Sequence, residues 1–325
     1  MRVAVVGCGL IGRKRAAALG PGDELVACCD VVPEAARALA ADYGGEPMPL
    51  EALLSEEPDV VVVATTHDRL AELSIAALEA GAHVLVEKPA GIGRAQIDAV
   101  AVAAERARKL VKVGFNHRFH PAIARAVEQA RSGAHGEILH LRARYGHGGR
   151  PGYEREWRAD PARSGGGELI DQGMHLLDLS HWLLGPLPLH SALLRTSFWD
   201  APVEDNAVVV LGERAAGPWA LMHVSWTEWK NLFSLEIYCR SAKLQVDGLV
   251  RSYGPQRLTS YLMGPELGPP AVEQIDYPDE DGSWAAEWLH FRSAILASEP
   301  RSLSGDLDSA GYAWSCVETA YEQCR

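Results

Sequence analysis

Two residues on one predicted helix have the types and the spacing that proton transfer requires. Asp171 and His175 are four residues apart after the glycines at 165–167, so a helix would place both on one face. Histidine can take a proton near neutral pH, and a nearby carboxylate can bind a hydroxyl or share that proton. Lys88, which follows a predicted strand, can stabilise a developing alkoxide. Together these residues could remove the proton of an alcohol during its oxidation.

Each of these residues also has a structural alternative when it is taken singly. A histidine on an amphipathic helix more often packs than reacts, and an isolated lysine usually lies at the surface. Asp171 could interact with the dipole at a helix terminus. We favour the chemical role because the three residues occur together behind a nucleotide-binding motif.

That motif is the glycine loop at residues 7–12, which follows an apolar run at residues 3–6. Its spacing, G-x-G-x-x-G between a predicted strand and a predicted helix, is typical of dinucleotide binding. The first glycine permits a tight turn, the second lets the backbone approach a pyrophosphate, and the third lets the helix pack on the strand. The predicted contacts in this loop are Gly7, Cys8, Gly9, Leu10, Ile11 and Gly12.

Asp30 ends the second apolar run, eighteen residues after Gly12. A carboxylate there can accept a hydrogen bond from the adenosine ribose and would repel a 2′-phosphate. The two valines that follow Asp30 supply no compensating cation, so NAD is favoured over NADP. The basic residues at 13–15 are the counter-evidence, although we expect them at an exposed helix start.

The first third of the chain alternates predicted strands and helices. Strands are expected at 3–6, 25–29, 60–64, 84–86 and 110–115, and helices at 13–19, 33–43, 50–54, 69–80 and 94–107. Such alternation predicts right-handed β-α-β crossovers and a doubly wound parallel sheet. We expect this NAD-binding Rossmann domain to occupy residues 1–117.

The pattern changes in residues 118–325. Helices are expected at 121–132 and 168–184, a strand at 138–145, and four successive strands between 207 and 246. Strands without intervening helices predict an open, mostly antiparallel sheet. Residues 252–282 are rich in glycine, proline and acids, which predicts an irregular segment, and closing helices are expected at 284–297 and 308–324. The second domain would therefore be an α/β substrate-binding and oligomerisation domain.

Composition excludes several classes of protein. The chain of 325 residues has a formal charge of −12, so nucleic acid is an unfavourable partner. Apolar residues make up 47% of the chain, but no run reaches the length of a membrane span. The six cysteines lack metal-binding spacing, so we expect reduced thiols, no metal and a cytoplasmic protein.

The motifs in their order resemble the Gfo/Idh/MocA family of NAD(P)-dependent sugar and cyclitol dehydrogenases. Besides the glycine loop, the resemblance rests on Glu87-Lys88-Pro89, on Gly114-Phe115-Asn116-His117-Arg118-Phe119-His120-Pro121 and on the segment 165–178. It implies that Lys88, Asp171 and His175 are catalytic and that a secondary hydroxyl becomes a ketone. It also implies a dimer or tetramer formed through the second sheet.

The resemblance extends the set of predicted cofactor contacts to Thr65, Thr66, His67, Glu87, Lys88 and Asn116. At Thr65-Thr66-His67 the chain departs from the Thr-Pro-Asn that is frequent in the family, and Leu70 stands where a histidine often follows. These departures bear on the adenosine side of the cofactor and not on the reaction.

The loop at 145–163 precedes the glycines and is expected to border the substrate. The predicted substrate contacts are Lys88, Tyr145, Trp157, Arg158, Asp171 and His175. Trp157 could stack on the nicotinamide or on a sugar ring. The arginines of this segment could bind a substrate phosphate, or the nearby Glu154, Glu156 and Asp160 could neutralise them.

Three functions remain open from the sequence. The leading one is a dehydrogenase of sugars or cyclitols, with modified-sugar or aminosugar biosynthesis as a setting by analogy. The second is an isomerase or lyase that uses NAD without net oxidation, and the third is a catalytically silent NAD-binding regulator. Four tryptophans at 199, 219, 226 and 229 predict association through the second sheet, because aromatic residues are enriched at interface cores.

Overall fold

The computed structural model describes residues 1–297 and 305–325. Ten α-helices occur in these residues, and we number them along the chain: α1 Leu10–Ala17, α2 Pro33–Tyr43, α3 Leu50–Ser55, α4 His67–Glu79, α5 Arg94–Ala107, α6 Pro121–Arg131, α7 Pro161–Ser164, α8 Met174–Leu184, α9 Ser283–Ala297 and α10 Leu307–Gln323. Short 3₁₀ helices cover Asn116–Phe119, Tyr153–Arg155, Trp157–Ala159 and Arg251–Tyr253. A single π-helical turn covers Leu169–Gly173. None of these helices has the length and apolarity that crossing a membrane requires.

The first sheet is six-stranded and entirely parallel. Its strands are β1 Arg2–Val6, β2 Glu24–Cys29, β3 Glu46–Pro47, β4 Val60–Val63, β5 His83–Val86 and β6 Val111–Val113. They lie in the order β3-β2-β1-β4-β5-β6. This order reverses direction between β1 and β4, where a doubly wound sheet opens its ligand-binding crevice. The apolar runs of β1 and β4 are buried because helices cover such a sheet on both faces.

The second sheet has eight strands. They are β7 Ile138–Gly146, β8 Leu189–Arg195, β9 Asn206–Gly212, β10 Trp219–Ser225, β11 Leu232–Cys239, β12 Ala242–Asp247, β13 Arg257–Leu262 and β14 Ala271–Asp276. The order is β14-β13-β12-β11-β7-β10-β9-β8, with every pair antiparallel except β7 with β10. Burial alternates along β9 to β12, so one face of this sheet is covered and the other is partly exposed. The predicted fold class is therefore confirmed.

Contacts between Cα atoms group the chain into two compact units. One comprises Met1–Asn116 with Trp284–Gly311, and the other comprises His117–Ser283 with Tyr312–Arg325. The sequence prediction placed residues 284–311 in the second domain. Their grouping with the first has a packing reason, because Trp288 and Phe291 of α9 lie in the same buried cluster as Val3 and Leu25. The functional division into domains stays a prediction.

The expectation of an irregular segment at 252–282 was wrong. β13 and β14 pair there in register, with Arg257 opposite Asp276 and Leu262 opposite Ala271. All six residues of β14 are exposed, so its sequence carries no alternation of apolar residues. Backbone hydrogen bonds and the ion pair of Arg257 with Asp276 hold this strand at the edge of the sheet, and hydrophobic periodicity cannot reveal it.

Candidate active site

The glycine loop of the first unit is built by close backbone approach. Gly7 has φ +94° and donates its N–H to the Cys29 carbonyl at 2.8 Å. A Cβ on Gly7 would lie 2.4 Å from the Ala64 carbonyl oxygen, and a Cβ on Gly12 would lie 1.9 Å from the Gly7 oxygen. Gly7 therefore requires glycine where the loop approaches the end of β4, and Gly12 requires it where α1 packs on the loop.

Gly9 differs from its two neighbours in the motif. A Cβ there would meet no atom within 4 Å. Gly9 is the N-cap of α1, and the first bond of that helix runs from Arg13 N–H to the Gly9 carbonyl at 3.0 Å. The N–H groups of residues 10–12 precede that bond and form the positive end of the helix, where anions bind. Leu10 is exposed and Ile11 is half-buried.

Asp30 lies against this loop. Its Oδ2 accepts the Cys8 N–H at 2.7 Å, and its Oδ1 accepts the Val32 N–H at 2.8 Å. Burial raises the pKa of the Cys8 thiol, so Cys8 stays neutral and contributes through its backbone. Open space at Gly9, a helix N-terminus and a fixed carboxylate are the features that a dinucleotide requires. The residues of the loop therefore fit NAD.

The predicted adenosine-side residues start α4. Thr66 is its N-cap without a capping side-chain bond, and the Thr65 hydroxyl donates to the Thr66 carbonyl at 3.3 Å. His67 is buried in the first turn. Asn116 is likewise buried and ends the first segment of this unit. The cofactor roles of Thr65, Thr66, His67 and Asn116 stay predictions.

Glu87 belongs to a buried charge network in the first unit. The Arg15 guanidinium donates to the Glu87 carboxylate at 2.6 Å and to the Glu287 carboxylate at 2.6 Å. Lys112 Nζ lies 3.6 Å from Glu287, and all four side chains are almost fully buried. The expectation that Arg15 lies at an exposed helix start was therefore wrong. The Arg15 guanidinium pairs with two buried carboxylates, those of Glu87 and Glu287. Arg15 therefore faces the interior and not a cofactor phosphate.

Lys88 follows Glu87 at the end of β5, in the same unit, and is half-buried. The Lys88-Pro89 peptide bond is cis. Arg15 donates a hydrogen bond to Glu87 and holds it in place, so the residue that precedes Lys88 has a fixed position. Its catalytic role stays a prediction.

Asp171 and His175 lie in the second unit on one continuous helical segment. The π-helical turn carries Asp171 and leads directly into α8, where His175 is the second residue. Asp171 is 9% exposed and His175 is 6% exposed. π-Turns are rare and occur frequently at functional sites, which makes the wider turn at Asp171 informative.

An arginine from the preceding loop binds Asp171. Arg158 Nε lies 3.2 Å from Asp171 Oδ2, and the Asp171 carboxylate raises the pKa of Arg158. The Arg158 guanidinium also lies 4.6 Å from the centre of the Trp157 ring. The structure thus joins three of the predicted substrate contacts, Trp157, Arg158 and Asp171.

His117 is a neighbour of His175 that the sequence prediction did not include among the site residues. Its ring stacks on that of His175 with centroids 3.8 Å apart and an interplanar angle of 25°. Tyr145 lies near both rings, at 5.1 Å from His117 and 6.2 Å from His175. The motif around Asn116 was recognised as a junction, but nothing local in the sequence links His117 to a residue 58 positions later.

Tyr253 and Gln172 were also missed. The Gln172 amide donates to the Tyr253 hydroxyl at 3.0 Å, and the rings of Tyr145 and Tyr253 lie 5.4 Å apart. Burial raises the pKa of Tyr253 to about 12 and holds that of Tyr145 well above its usual value. Both phenols are therefore neutral hydrogen-bonding groups at neutral pH. Tyr253 belongs to the segment that was expected to be irregular, so no signal pointed to it.

Glu204 and Tyr321 hold the start of the helical segment. The Glu204 carboxylate accepts the Gly167 N–H at 3.2 Å and the Leu169 N–H at 3.1 Å, and the Tyr321 hydroxyl donates to it at 2.9 Å. Burial raises the pKa of Glu204, although these donors act in the opposite direction. Because a Cβ on Gly167 would lie 2.0 Å from the Glu204 carbonyl oxygen, glycine permits this approach.

A Rossmann sheet with a dinucleotide loop, together with a second unit whose helical segment carries Asp171 and His175, is the arrangement of a nucleotide-dependent oxidoreductase. Two models of one family match the chain. The oxidoreductase family with an NAD-binding Rossmann fold matches residues 1–115, and the GFO/IDH/MocA C-terminal domain matches residues 123–245. The chain belongs to the Gfo/Idh/MocA oxidoreductase family, which confirms the family and the NAD cofactor that were predicted.

Individual relatives agree with this family. The D-glucoside 3-dehydrogenase of Escherichia coli strain K12 is 36% identical over 192 residues, which are 57% of this chain and 54% of that protein. The myo-inositol 2-dehydrogenase of Thermotoga maritima is 28% identical over 94% of this chain and 91% of its own. GenD2 from gentamicin A biosynthesis, solved in complex with NAD, has a TM-score of 0.84 at 25% identity and covers 99% of this chain and 93% of its own. The chain spans about half the length of the first curated relatives that it matches.

Proposed function

We propose that this protein is an NAD-dependent dehydrogenase that oxidises a secondary hydroxyl of a sugar, sugar derivative or cyclitol to a ketone. The observation that carries the proposal is the buried pair of Asp171 and His175, in a chain whose first 115 residues match an NAD-binding fold. The relatives named as glucoside and inositol dehydrogenases support the same class of reaction.

His175 is the proposed general base. Oxidation of an alcohol separates a hydride from a proton, and bound NAD supplies the acceptor for the hydride. A neutral imidazole can take the proton near pH 7. Its stack on His117 restricts the ring to one plane, which keeps the accepting nitrogen oriented.

Asp171 is proposed to bind a substrate hydroxyl rather than to act as the base. Arg158 Nε lies 3.2 Å from Asp171 Oδ2 and orients the carboxyl group, whose oxygens can accept a hydrogen bond from a substrate hydroxyl. Lys88 is proposed to hold the reacting oxygen and to stabilise its developing negative charge. Tyr145 and Trp157 are proposed to line the substrate side.

The proposed cofactor residues in the first unit act through the backbone. Gly9 and the residues of the first turn of α1 would hold the pyrophosphate, and Asp30 would accept from the ribose. We likewise propose residues 1–117 as the NAD-binding domain and residues 118–325 as the substrate-binding and oligomerisation domain. The contacts within the first unit favour adding residues 284–311 to the former.

A substrate screen tests this function directly. Sugars, glycosides, inositols and aminocyclitols are incubated with NAD, and NADH is followed by its absorbance. We expect at least one of these classes to give stoichiometric NADH and a ketone. Product formation without net NADH would favour the isomerase or lyase, and tight NAD binding without any product across the screen would favour a regulator.

We also propose a homodimer or homotetramer in the cytoplasm. Trp229 is 63% exposed and packs against the exposed Phe198, and Trp219 at 38% exposure stacks on His140. Trp226, in contrast, is fully buried. Trp219 starts β10, whereas Trp229 and Phe198 lie in loops next to strands of this sheet, and exposed rings of this size favour self-association. Six free cysteines agree with a reducing compartment. A strictly monomeric species in light scattering at micromolar concentration would contradict the oligomer.

A further inference from the structure

The turn that follows β12 in the second unit has a strained backbone. Val250 has φ +66° and ψ 172°, a combination that is found almost only in glycine, and Arg251 has φ +52°. A β-branched residue such as valine is especially unfavourable at positive φ, because its side chain crowds the backbone. The surroundings must therefore impose this conformation, and strain of this kind clusters at functional sites.

Contacts at both ends of the segment 248–255 impose the conformation. The Gly248 N–H donates to the Phe233 carbonyl at 3.1 Å, and a Cβ on Gly248 would lie 2.2 Å from the Pro255 carbonyl oxygen. Val250 is 1% exposed, so burial of its side chain offsets part of the cost of its backbone conformation. The segment is thus closed at its base and buried in its middle, which gives the residues that follow a defined position.

The residue that this turn places is Tyr253. Its N–H donates to the Val250 carbonyl at 3.1 Å, and its hydroxyl accepts a hydrogen bond from Gln172 Nε2 at 3.0 Å. The same hydroxyl forms a hydrogen bond with that of Tyr145. Because burial raises the pKa of Tyr253 to about 12, the phenol stays neutral near pH 7. The strained turn therefore leads to a neutral hydroxyl that reaches the π-helical turn.

The contact with Tyr253 holds the π-helical turn directly beside Asp171. Gln172 follows Asp171 in that turn. On the other side of Asp171, the Leu169 N–H donates to the Glu204 carboxylate at 3.1 Å. Asp171 thus lies between two anchored residues. A π-turn is rare within helices, so we expect contacts with other segments to hold its register.

We propose that Tyr253 is a positioning residue for Asp171 and that the strained turn at residues 250–251 serves to place its hydroxyl. Tyr253 acts through Gln172 and does not itself react. Loss of the hydroxyl releases the Gln172 amide, and Asp171 then loses one of the two anchors that flank it. This inference rests on the proposed function, because the position of Asp171 affects turnover only if its carboxyl group binds the substrate.

Removal of the hydroxyl alone tests this role. Tyr253→Phe should lower kcat/KM for the best substrate by about three- to tenfold, the effect of one lost hydrogen bond, while NAD affinity changes less than about twofold. Tyr312→Phe is the matched control, because it removes a hydroxyl of the same unit that donates to the Leu187 carbonyl at 2.9 Å, beyond the end of α8. Equal losses of kcat/KM in the two variants, or no loss in Tyr253→Phe, would overturn the proposal.

A double-variant cycle separates positioning from a general structural effect. In the Asp171→Ala background, Tyr253→Phe should lower kcat/KM by a further factor of less than about two, because its effect passes through Asp171. A further loss of about three- to tenfold in that background would mean that Tyr253 acts independently of Asp171, and the proposal would be wrong.

A pair of variants at Arg251 tests the strained turn. Arg251→Asn introduces a residue that tolerates positive φ, whereas Arg251→Val introduces a β-branched residue that does not. Arg251 is exposed, so neither change removes a buried side chain. We expect Arg251→Asn to retain kcat/KM within about twofold and Arg251→Val to lose about as much as Tyr253→Phe. The same kcat/KM in both variants would contradict the role of the turn.

Hydrogen–deuterium exchange provides a measurement that needs no substrate. Peptides covering residues 167–175 are followed by mass spectrometry in the protein saturated with NAD. We expect exchange at least about threefold faster in Tyr253→Phe and Arg251→Val than in the wild type, and unchanged exchange in Arg251→Asn and Tyr312→Phe. Unchanged exchange in Tyr253→Phe would overturn the proposal whatever the substrate screen finds. Faster exchange in a protein that binds NAD but oxidises no substrate would support the anchoring of the π-turn and contradict the dehydrogenase function instead.

Discussion

The two units place their proposed functional residues in different ways. In the first, backbone groups and glycines within a dozen residues form the nucleotide loop, and Asp30 completes it from the next strand. In the second, side chains from distant segments assemble around one helix, including His117, Arg158, Tyr253 and Glu204. A site of the first kind binds a ligand through features shared by all dinucleotides, whereas a site of the second kind can vary its side chains with the substrate. Variants in each unit should therefore affect different steps.

The largest expected effect is on turnover and arises in the second unit. His175→Ala should lower kcat by roughly 10²–10⁴ because the proton acceptor is lost. NAD affinity, measured by fluorescence titration, should change less than about twofold. His181→Ala is the control, since His181 lies on the same helix and packs on Tyr312 at a centroid distance of 4.3 Å. Near-normal turnover in His175→Ala would make that histidine structural and shift the role of base to Asp171 or Lys88.

A pair of glycine variants sharpens the comparison from the side of the first unit. Gly12→Ala should cost about 1–3 kcal/mol of stability, because its Cβ would overlap the Gly7 oxygen. A Cβ on residue 9 would meet no atom within 4 Å, so the melting temperature of the Gly9→Ala variant should equal that of the wild type. Its NAD affinity should nevertheless fall by about tenfold or more, because the methyl group would occupy the path of the pyrophosphate. Unchanged affinity in Gly9→Ala would mean that the loop does not hold the pyrophosphate.

A smaller effect is expected at Asp30. Asp30→Ala should weaken NAD binding by roughly three- to tenfold, as expected for one lost hydrogen bond at a half-exposed site. It should also relax discrimination against NADP, since the repelling charge is removed. Asp30→Asn keeps an acceptor for the Cys8 N–H, so it should relax discrimination with a smaller loss of NAD affinity. Dissociation constants for both cofactors decide the matter, and equal values in all three proteins would refute the role of Asp30.

The smallest effect tests positioning in the second unit. Tyr321→Phe removes the hydroxyl that donates to Glu204 and that accepts from the Gly167 N–H, while the bonds from Gly167 and Leu169 to the carboxylate remain. We expect kcat to fall by about three- to tenfold, the cost of roughly one hydrogen bond, with NAD affinity unchanged. A fall in NAD affinity without a fall in kcat would contradict the proposal that the first unit binds NAD and the second unit supports turnover. Glu204→Gln should have a larger effect than Tyr321→Phe because it weakens an acceptor shared by three donors.

Local features of the sequence were sufficient to predict the first sheet, its glycine loop and the helical segment that carries Asp171 and His175. The glycine loop, Asp30 and the alternation of strands and helices depend on residues close in sequence, so their geometry follows from spacing. The Asp171–His175 pair was likewise visible from its four-residue interval. In contrast, no residue type in the sequence marks the π-turn that carries Asp171, and the strands within 257–276 lack apolar alternation. Neither feature could therefore be predicted from local sequence.

Interactions between distant residues were not predictable in the same way. The sequence alone predicts that Arg15 is exposed. Its burial depends on Glu87 and Glu287, which only the fold brings beside it. His117 meets His175, and Tyr321 meets Glu204, only after the fold has formed. One sequence contains no record of such pairs, because their energy depends on burial and on partners that spacing does not specify.

The ion pair between Arg15 and Glu287 has a consequence for biosynthesis. These residues are separated by 272 positions, yet both lie in the first unit. At ribosomal rates of about 5–20 residues per second, the segment 284–311 follows residue 116 by roughly 10–30 s. During that interval Arg15 lacks Glu287, the second of its two carboxylate partners, and Trp288 and Phe291 are missing from the buried cluster that contains Val3 and Leu25. The nucleotide-binding unit is thus completed late, and a nascent chain that stops before residue 284 carries an unfinished interior.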